Sequence, residues 1–514
     1  MKLNSSKQRQ LGVMLSYISL AVSTLLSLVY TPLLLDKLGQ EEYGVYTLVA
    51  SAVSYLTLLS LGFGSAYVRF YSRYAASKDR DGEYRLNGTY FLIYCVMGVL
   101  ALVIGGVLAF NSGLVFKGLS DEEANLAKTL LLILVVNTAI SFPLSVFDAI
   151  VTAHECFIFQ KILIMIKRIL TPCLVMVLLL LGYRSIALVV VNLLLTVVTG
   201  AASVYYVFAK IHTKFRFRGL QVWLLKEMSS YSFFIFIIMI ADQISWNLDK
   251  LLLGVFQSSI QIAIYGVAAQ LNSYYLTFSD VVSNVFTPKI HTMVAENKSK
   301  RDLTDLMTRV GRIQFYIAML IFLGYLFFGQ SFIRIWAGEE YGNSYVIGIV
   351  LLGSVTLPLI ESISTEVLRA LGLHKQYSLI VCATAVLNLL LSIPLSIWFG
   401  AMGCAIGTAV AMFVCSWVMR NIYLKRKAGI EIGRFFKELA KMLPSLVLPA
   451  IAGVVIMLFA PIHGYVSLLL YILLYVAVFF VSIWLFAMNN EEINLVRKLI
   501  HKYKGKEVKG NDNN

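Results

Sequence analysis

Apolar runs of about twenty residues alternate with short polar stretches along almost the whole chain. A hydrocarbon core of roughly 30 Å is crossed by about 20 apolar residues in a helix, so this alternation predicts a series of membrane-spanning helices. Apolar windows centre near residues 22, 56, 98, 136, 170, 196, 242, 272, 320, 357, 388, 411, 451 and 475. They predict an all-α integral membrane protein of about fourteen transmembrane helices, with twelve or thirteen left open because neighbouring windows merge. The longest gaps, near 68–86, 210–228, 288–312 and 420–442, are too short for a soluble domain.

Composition agrees: of 514 residues, 59% are hydrophobic and only 14% charged, against about 25% charged in soluble domains. The position of the net +15 charge is more informative than its size. Lys and Arg concentrate at the N-terminus (Lys2, Lys7, Arg9), in alternate loops (Arg69 to Arg85, Lys210 to Lys226, Lys289 to Arg312, Arg420 to Lys441) and in the tail from Arg497 to Lys509. The opposite loops carry only Lys37, Lys117, Lys128, Arg184 and Arg334. The positive-inside rule then places both termini in the cytoplasm and requires an even number of spans. Charge divided among alternate short loops also argues against nucleic acid, which selects a continuous basic track. The six cysteines form no CxxC pair and read as packing residues. The first span is too long for a signal-peptide core and reads as retained.

A weak internal repeat divides the chain. Leu35-Asp36-Lys37-Leu38 precedes Tyr43-Gly44-Val45, and Leu248-Asp249-Lys250-Leu251 precedes Tyr265-Gly266-Val267. Six spans separate the copies, so both keep one orientation, as in a parallel repeat with a substrate path between halves. The expected division is a six-helix lobe over 1–210, a second over 211–428, an amphipathic segment with two further helices over 429–487, and a basic tail over 488–514. Ile430 to Lys441, and Ile493 to Tyr503 in the tail, set apolar positions against Lys and Arg, as helices lying on an anionic leaflet do.

An ionisable side chain at mid-bilayer costs about 2.5–3.5 kcal/mol on insertion scales, so such groups mark wet or paired interiors. In the fifth span Lys161 and Arg168, seven apart, share a face, as do Gln160 and Lys167; a guanidinium there suits a phosphate. The seventh span sets Asp242, Ser245, Trp246 and Asp249 at i, i+3, i+4, i+7; the eighth carries Gln270, Ser273, Thr277, Asp280 and Asn284; the fourth carries Asn137, Ser141 and Asp148; and the tenth carries Glu361 near Pro358. The candidate substrate-binding residues are therefore Arg168, Lys161, Arg69, Asn137 and Gln270. The candidates for coupling to H⁺ or Na⁺ are Asp242, Asp249, Glu361 and Asp280. Packing of small hydroxyl residues and helix-locking ion pairs are the competing readings. No GxxxxGK[ST] loop, HExxH motif or Cys/His cluster is present, so neither bound ATP nor a metal is expected. Short outer loops leave no room for a polymerase or glycosyltransferase active site, and no enzymatic activity is expected.

The stretch TPLLLDKLGQEEYGVYTLVASAVSYLTLLSLGFGSAYVRFYSR (Thr31 to Arg73) resembles the opening of bacterial polysaccharide-unit flippases of the multidrug/oligosaccharidyl-lipid/polysaccharide exporter superfamily. NLDKLLLG (Asn247 to Gly254) resembles the segment that opens that family's second half. The resemblance implies two pseudosymmetric six-helix lobes around a central cavity plus two C-terminal helices. It implies export of an undecaprenyl-diphosphate-linked oligosaccharide between leaflets, with cationic cavity residues best matched by Lys161 and Arg168. It also implies glycosyltransferases and a polysaccharide polymerase as possible neighbours in the pathway. A multidrug exporter and a lipid II flippase are the alternatives within the superfamily.

Overall fold

A computed structural model describes residues 5–218, 222–462, 464–490 and 492–494, and among these every regular element is helical. In chain order the principal helices are α1 (Ser5–Ser54), α2 (Phe63–Ser77), α3 (Arg80–Phe110), α4 (Asp121–Ala153), α5 (Phe157–Leu180), α6 (Ser185–Tyr206), α7 (Val222–Phe256), α8 (Ser259–Ala295), α9 (Lys300–Trp336), α10 (Ser344–Ile360), α11 (Ile363–Ala370), α12 (His374–Ala411), α13 (Ile432–Ala440), α14 (Val447–Phe459) and α15 (Tyr465–Phe486). Among the described residues, nine helical stretches are long and apolar enough to cross a membrane, or ten when the bent pair α10–α11 is taken as one. The chain is a multi-pass membrane protein.

Two long helices are broken where glycine adopts backbone angles closed to other residues: Gly39 (φ 72°) in α1 and Gly400 (φ 57°) in α12. Helix α4 begins with a capping box in which Ser120 and Glu123 each satisfy the other's backbone N–H. Helix α10 bends by 47° into α11 just after Pro358, whose ring cannot continue the hydrogen-bond ladder.

The chain forms two compact units. The first comprises Met1–Tyr274, Trp336–Ser354 and Lys375–Val418; the second comprises Tyr275–Ile335, Val355–His374 and Met419–Asn514. The first unit holds two apolar cores, one around Leu48, Leu130, Leu131, Leu253 and Ile262, the other around Tyr67, Phe70, Leu86, Tyr90 and Ile150. Its repeated Tyr-Gly-Val segments face each other. A Cβ on Gly44 would overlap the backbone of Ser259, and one on Gly266 would touch the Tyr43 ring at 3.5 Å. Small residues let the two helix backbones approach this closely. The repeated aspartates have diverged: Asp36 is exposed and pairs with Lys37 at 3.1 Å, whereas Asp249 is buried.

The second unit has its core at Phe328, Ile456, Tyr475 and Phe479. Helix α13 departs from the expectation of a helix lying on lipid. Its apolar stripe of Ile432, Phe435 and Leu439 is buried in protein, with the Phe435 ring against Gly311. Arg434 pairs with Asp305 at 2.8 Å, and the Glu431 N–H donates to Thr304 at 3.2 Å. Periodicity alone cannot tell a lipid surface from a protein groove. At the end of α15, Arg312 of α9 grips Glu492 through two hydrogen bonds of 2.7 Å and donates to the Ala487 carbonyl. Of the basic tail expected on the leaflet, residues beyond 494 lie outside those described.

Candidate functional site

The most unusual polar group in the first unit is Asp249, 3% exposed and carried on α7. Its Oδ2 accepts hydrogen bonds from the Tyr265 hydroxyl of α8 and the Thr408 hydroxyl of α12, the latter at 2.7 Å. Behind Thr408, Asn388 donates to its oxygen at 3.2 Å, and Ser392 donates to Asn388 at 2.7 Å. Asn388 and Ser392 are fully buried. The Asp249 Oδ1 accepts no hydrogen bond among the described residues, although the Ser392 oxygen lies beside the carboxylate. A carboxylate with one bare oxygen inside a bundle is costly unless a proton or cation completes it. Hydroxyl and amide oxygens of Tyr265, Thr408, Ser392 and Asn388 gather around it, with the half-buried Lys250 ammonium within electrostatic reach and the Cys404 thiol at the Asp249 backbone carbonyl. Among the described residues no group of three His, Cys, Asp or Glu forms a transition-metal site.

A second feature is a cavity of about 440 Å³. Hydroxyls of Thr57, Ser60, Thr138, Ser141 and Ser145 line it together with the rings of Tyr90 and Tyr94. Hydroxyls and aromatic faces between apolar helices suit a polyhydroxylated ligand. On α4, Asn137 stands next to the lining residue Thr138, and its buried Oδ1 accepts no hydrogen bond among the described residues. Gln270 bonds to Tyr274 at 2.7 Å and to Thr31 at 3.3 Å.

The cations of α5 divide by partner. Lys167 donates to Thr196 at 2.8 Å and lies within electrostatic reach of Asp148, which accepts from Ser203 at 2.8 Å. Arg168 is exposed and Lys161 half-buried, and neither makes a hydrogen bond or ion pair among the described residues. Arg69 on α2, Asp242 on α7 and Asp280 on α8 are also exposed.

Glu361 has a different environment. It is completely buried at the bend between α10 and α11, where both its oxygens accept from Asn421 at 3.0 Å. Arg420 approaches it at 3.5 Å while donating to the Pro358 carbonyl at 3.2 Å and to Thr365 at 3.4 Å. The guanidinium thus serves a carbonyl freed by the proline-associated bend, as a broken span in lipid requires. Beside it, Gln314 ties Ser279, Ser283 and Ser362 together.

Sequence reasoning found Asp249 but not Tyr265, Asn388, Ser392 or Thr408. The i, i+4 pair Asn388 and Ser392 in an apolar run was the available signal; its connection to Asp249 crosses some 140 residues of chain. Arg420 was read as loop charge and topology, and neither it nor Asn421 was seen as a partner of Glu361.

Three comparisons bear on these features. The family described as "Polysaccharide biosynthesis protein" matches residues 12–290. A probable low-salt glycan biosynthesis flippase, Agl15, of Haloferax volcanii is 24% identical over 36% of this chain, which spans only 39% of that relative's length. A putative O-antigen transporter of Shigella flexneri is 22% identical over 79% of this chain and 95% of its own. The solved structure of the lipid II flippase MurJ in an inward closed conformation shares the fold, with TM-score 0.73 over 91% of this chain and 98% of that one, at 17% identity.

Proposed function

Because the chain belongs to the polysaccharide biosynthesis protein family, matched over more than half its length, we propose that it is a flippase for a lipid-linked oligosaccharide. The substrate in this reading is an undecaprenyl-diphosphate-linked repeat unit, carried from the inner to the outer leaflet of the cytoplasmic membrane. Glycosyltransferases supply it and a polymerase consumes it. Both termini are cytoplasmic, and the chain crosses the bilayer fourteen times once α1 and α12 are divided at their glycine breaks and α7 and α8 are included. Residues 1–210 and 211–428 act as the lobes of an alternating-access cycle.

The observation that carries the reading is the cavity set among membrane spans, where the hydroxyls of Thr57, Ser60, Thr138, Ser141 and Ser145 stand among the apolar side chains of Phe142, Ile235 and Met239. A diphosphate-linked glycan cannot enter hydrocarbon, because each unpaired polar group or charge would lose its hydration. Asn137 and Gln270 supply amide contacts, and Arg168 and Lys161, without an ion pair among the described residues, supply charge for the diphosphate; Arg69 adds to that charge. The names carried by the relatives, an O-antigen transporter and a glycan flippase, support the same substrate class.

Coupling resides at Asp249 in this reading. Na⁺ or H⁺ completes the bare Oδ1, with the Thr408 and Ser392 hydroxyls and the Asn388 amide as the surrounding oxygens. Asp242 and Asp280 are exposed and lack that enclosure, and Glu361 is engaged at the helix bend.

The test is reconstitution into liposomes containing a fluorescent lipid-linked oligosaccharide, with outer-leaflet arrival read by a soluble glycosidase. Translocation should require the protein, should be lost in Arg168→Ala, and in Asp249→Asn should proceed without acceleration by a Na⁺ or proton gradient. Transport of a soluble organic cation with no glycolipid movement would overturn the assignment.

A further inference from the structure

Helix α6 ends unusually. After Tyr206 the backbone widens into a π-helical turn, Val207–Ile211, and His212 then takes a left-handed conformation at φ 58°. Such turns are uncommon and tend to mark functional positions. The chain reverses and lays residues 213–217 back along α3. Asn87 donates to the Thr213 hydroxyl at 3.0 Å and to the Lys214 carbonyl at 3.2 Å, and the Arg216 N–H donates to the Tyr84 carbonyl at 2.9 Å. This loop is therefore fixed rather than loose.

The fold-back builds a groove of about 790 Å³, within the range of pockets that hold small molecules. Its floor is aromatic: the Phe215 ring lies 5.8 Å from Phe91, 5.5 Å from Phe147 and 5.7 Å from Phe208, with Phe217 6.3 Å from Phe91. Phe208 and Phe217 are about half exposed. Its rim is basic, because the nearby acids are already engaged. Asp81 is held by Arg85 at 2.5 Å and by Arg216, while Glu83 accepts from Thr213 at 3.2 Å. Lys214 and Arg218 are exposed and carry no ion pair among the described residues. The candidate membrane span formed by α6 and its π-helical turn ends at Ile211, so the groove stands at the end of a span.

From this juxtaposition of a phenylalanine floor with free cations at the end of a membrane span, we propose that the groove is a binding site for an anionic phospholipid. The acyl chain lies on Phe91, Phe147 and Phe215, and the phosphate sits between Lys214 and Arg218. Aromatic rings at the interface and basic groups facing a charged headgroup are the two halves of lipid recognition. The site is separate from the hydroxyl-lined cavity and from Asp249.

The experiment uses the purified full-length chain with phosphatidylglycerol and phosphatidylcholine, read by native mass spectrometry. A phosphatidylglycerol bearing an acyl-chain diazirine locates the adduct. Phosphatidylglycerol should be retained over phosphatidylcholine, and the label should fall within residues 207–218 or beside Phe91 and Phe147. In Lys214→Gln/Arg218→Gln, two lost interfacial cations predict about a thirtyfold weaker retention. These side chains are exposed, and the melting temperature in lipid-free detergent should not change. Phe217→Ala should weaken retention of both lipids together. Equal retention of the two lipids by the wild type, or undiminished phosphatidylglycerol binding by the double variant, would overturn the site as an anionic-lipid receptor. Displacement of the label by a polyprenyl phosphate but not by excess phosphatidylglycerol would also overturn it, by assigning the groove to transport substrate.

Discussion

Removing Arg420 tests whether Glu361 serves the helix bend or the transport chemistry. In Arg420→Met the guanidinium is replaced by an apolar chain of similar length, and Glu361 stays fully buried with its Asn421 bonds in place. Breaking a buried pair costs about 3–5 kcal/mol, because the remaining charge loses its counterion. The Arg420 contacts, at 3.2–3.5 Å, are long, and Asn421 stays in place. The expected loss is therefore near the lower bound, about 3 kcal/mol. Over 514 residues, an unfolding entropy of about 2.1 cal/mol/K per residue sums to about 1.1 kcal/mol/K, so the melting midpoint should fall by about 3 °C. Glu361→Gln should also destabilise, because it removes the carboxylate charge that faces the buried Arg420 at 3.5 Å. The double variant should recover part of the loss, with a coupling energy of about 1–3 kcal/mol. The assay is thermal unfolding in one fixed detergent, followed by the monodisperse fraction on size exclusion, for all four proteins of the cycle. Additive losses would refute the pairing. An unshifted Glu361→Gln that no longer transports would make Glu361 a transport group instead of a strut.

Other variants test separate parts of the fold. Glu492 is half-enclosed; burial pushes its carboxyl up, but the Arg312 hydrogen bonds and the Asn489 N–H outweigh this and hold it below the usual carboxylate value. A carboxyl lowered in the folded state stabilises above its unfolded value of about 4.3 and loses that contribution as pH falls further. Melting curves taken from about pH 6 to about pH 3 should therefore drop less steeply for Glu492→Gln than for the wild type; parallel curves would contradict the pairing. Gly44→Val should give little folded protein in the membrane fraction, since its Cβ would collide with backbone at Ser259 and not with a yielding side chain. Phe435→Ala empties a fully buried ring site and should cost about 3–5 kcal/mol in chemical unfolding; near-wild-type stability would mean that α13 lies on lipid after all.

The membrane helices were legible because each apolar window is a local property: length and composition suffice to place α3, α4, α5, α6 and α15. Asp249 was legible because a carboxylate in an apolar run is costly wherever the helix points. Its surroundings were not, because Tyr265 and Thr408 reach it from helices 16 and 159 residues away in sequence, and one-dimensional periodicity carries no such pairing. The α13 stripe was seen correctly as amphipathic and assigned to the wrong partner. The breaks at Gly39 and Gly400 were legible too, because each falls in the short gap between two apolar windows, those centred near 22 and 56 and those near 388 and 411; the backbone angle that makes each turn was not. The groove beneath α6 was hidden for a further reason: its phenylalanines come from α3, α4 and the end of α6, and none forms a motif alone.

The chain carries two copies of a Leu-Asp-Lys-Leu word, yet only one places its aspartate in a dry interior. In the proposed cycle that asymmetry fixes stoichiometry, since one enclosed carboxylate admits one monovalent ion per turn. One such ion falling through about 100 mV releases about 2.3 kcal/mol, enough to hold a transbilayer imbalance of about fiftyfold. In that proposed cycle sequence symmetry and thermodynamic symmetry part company, and the working stroke would belong to a single half.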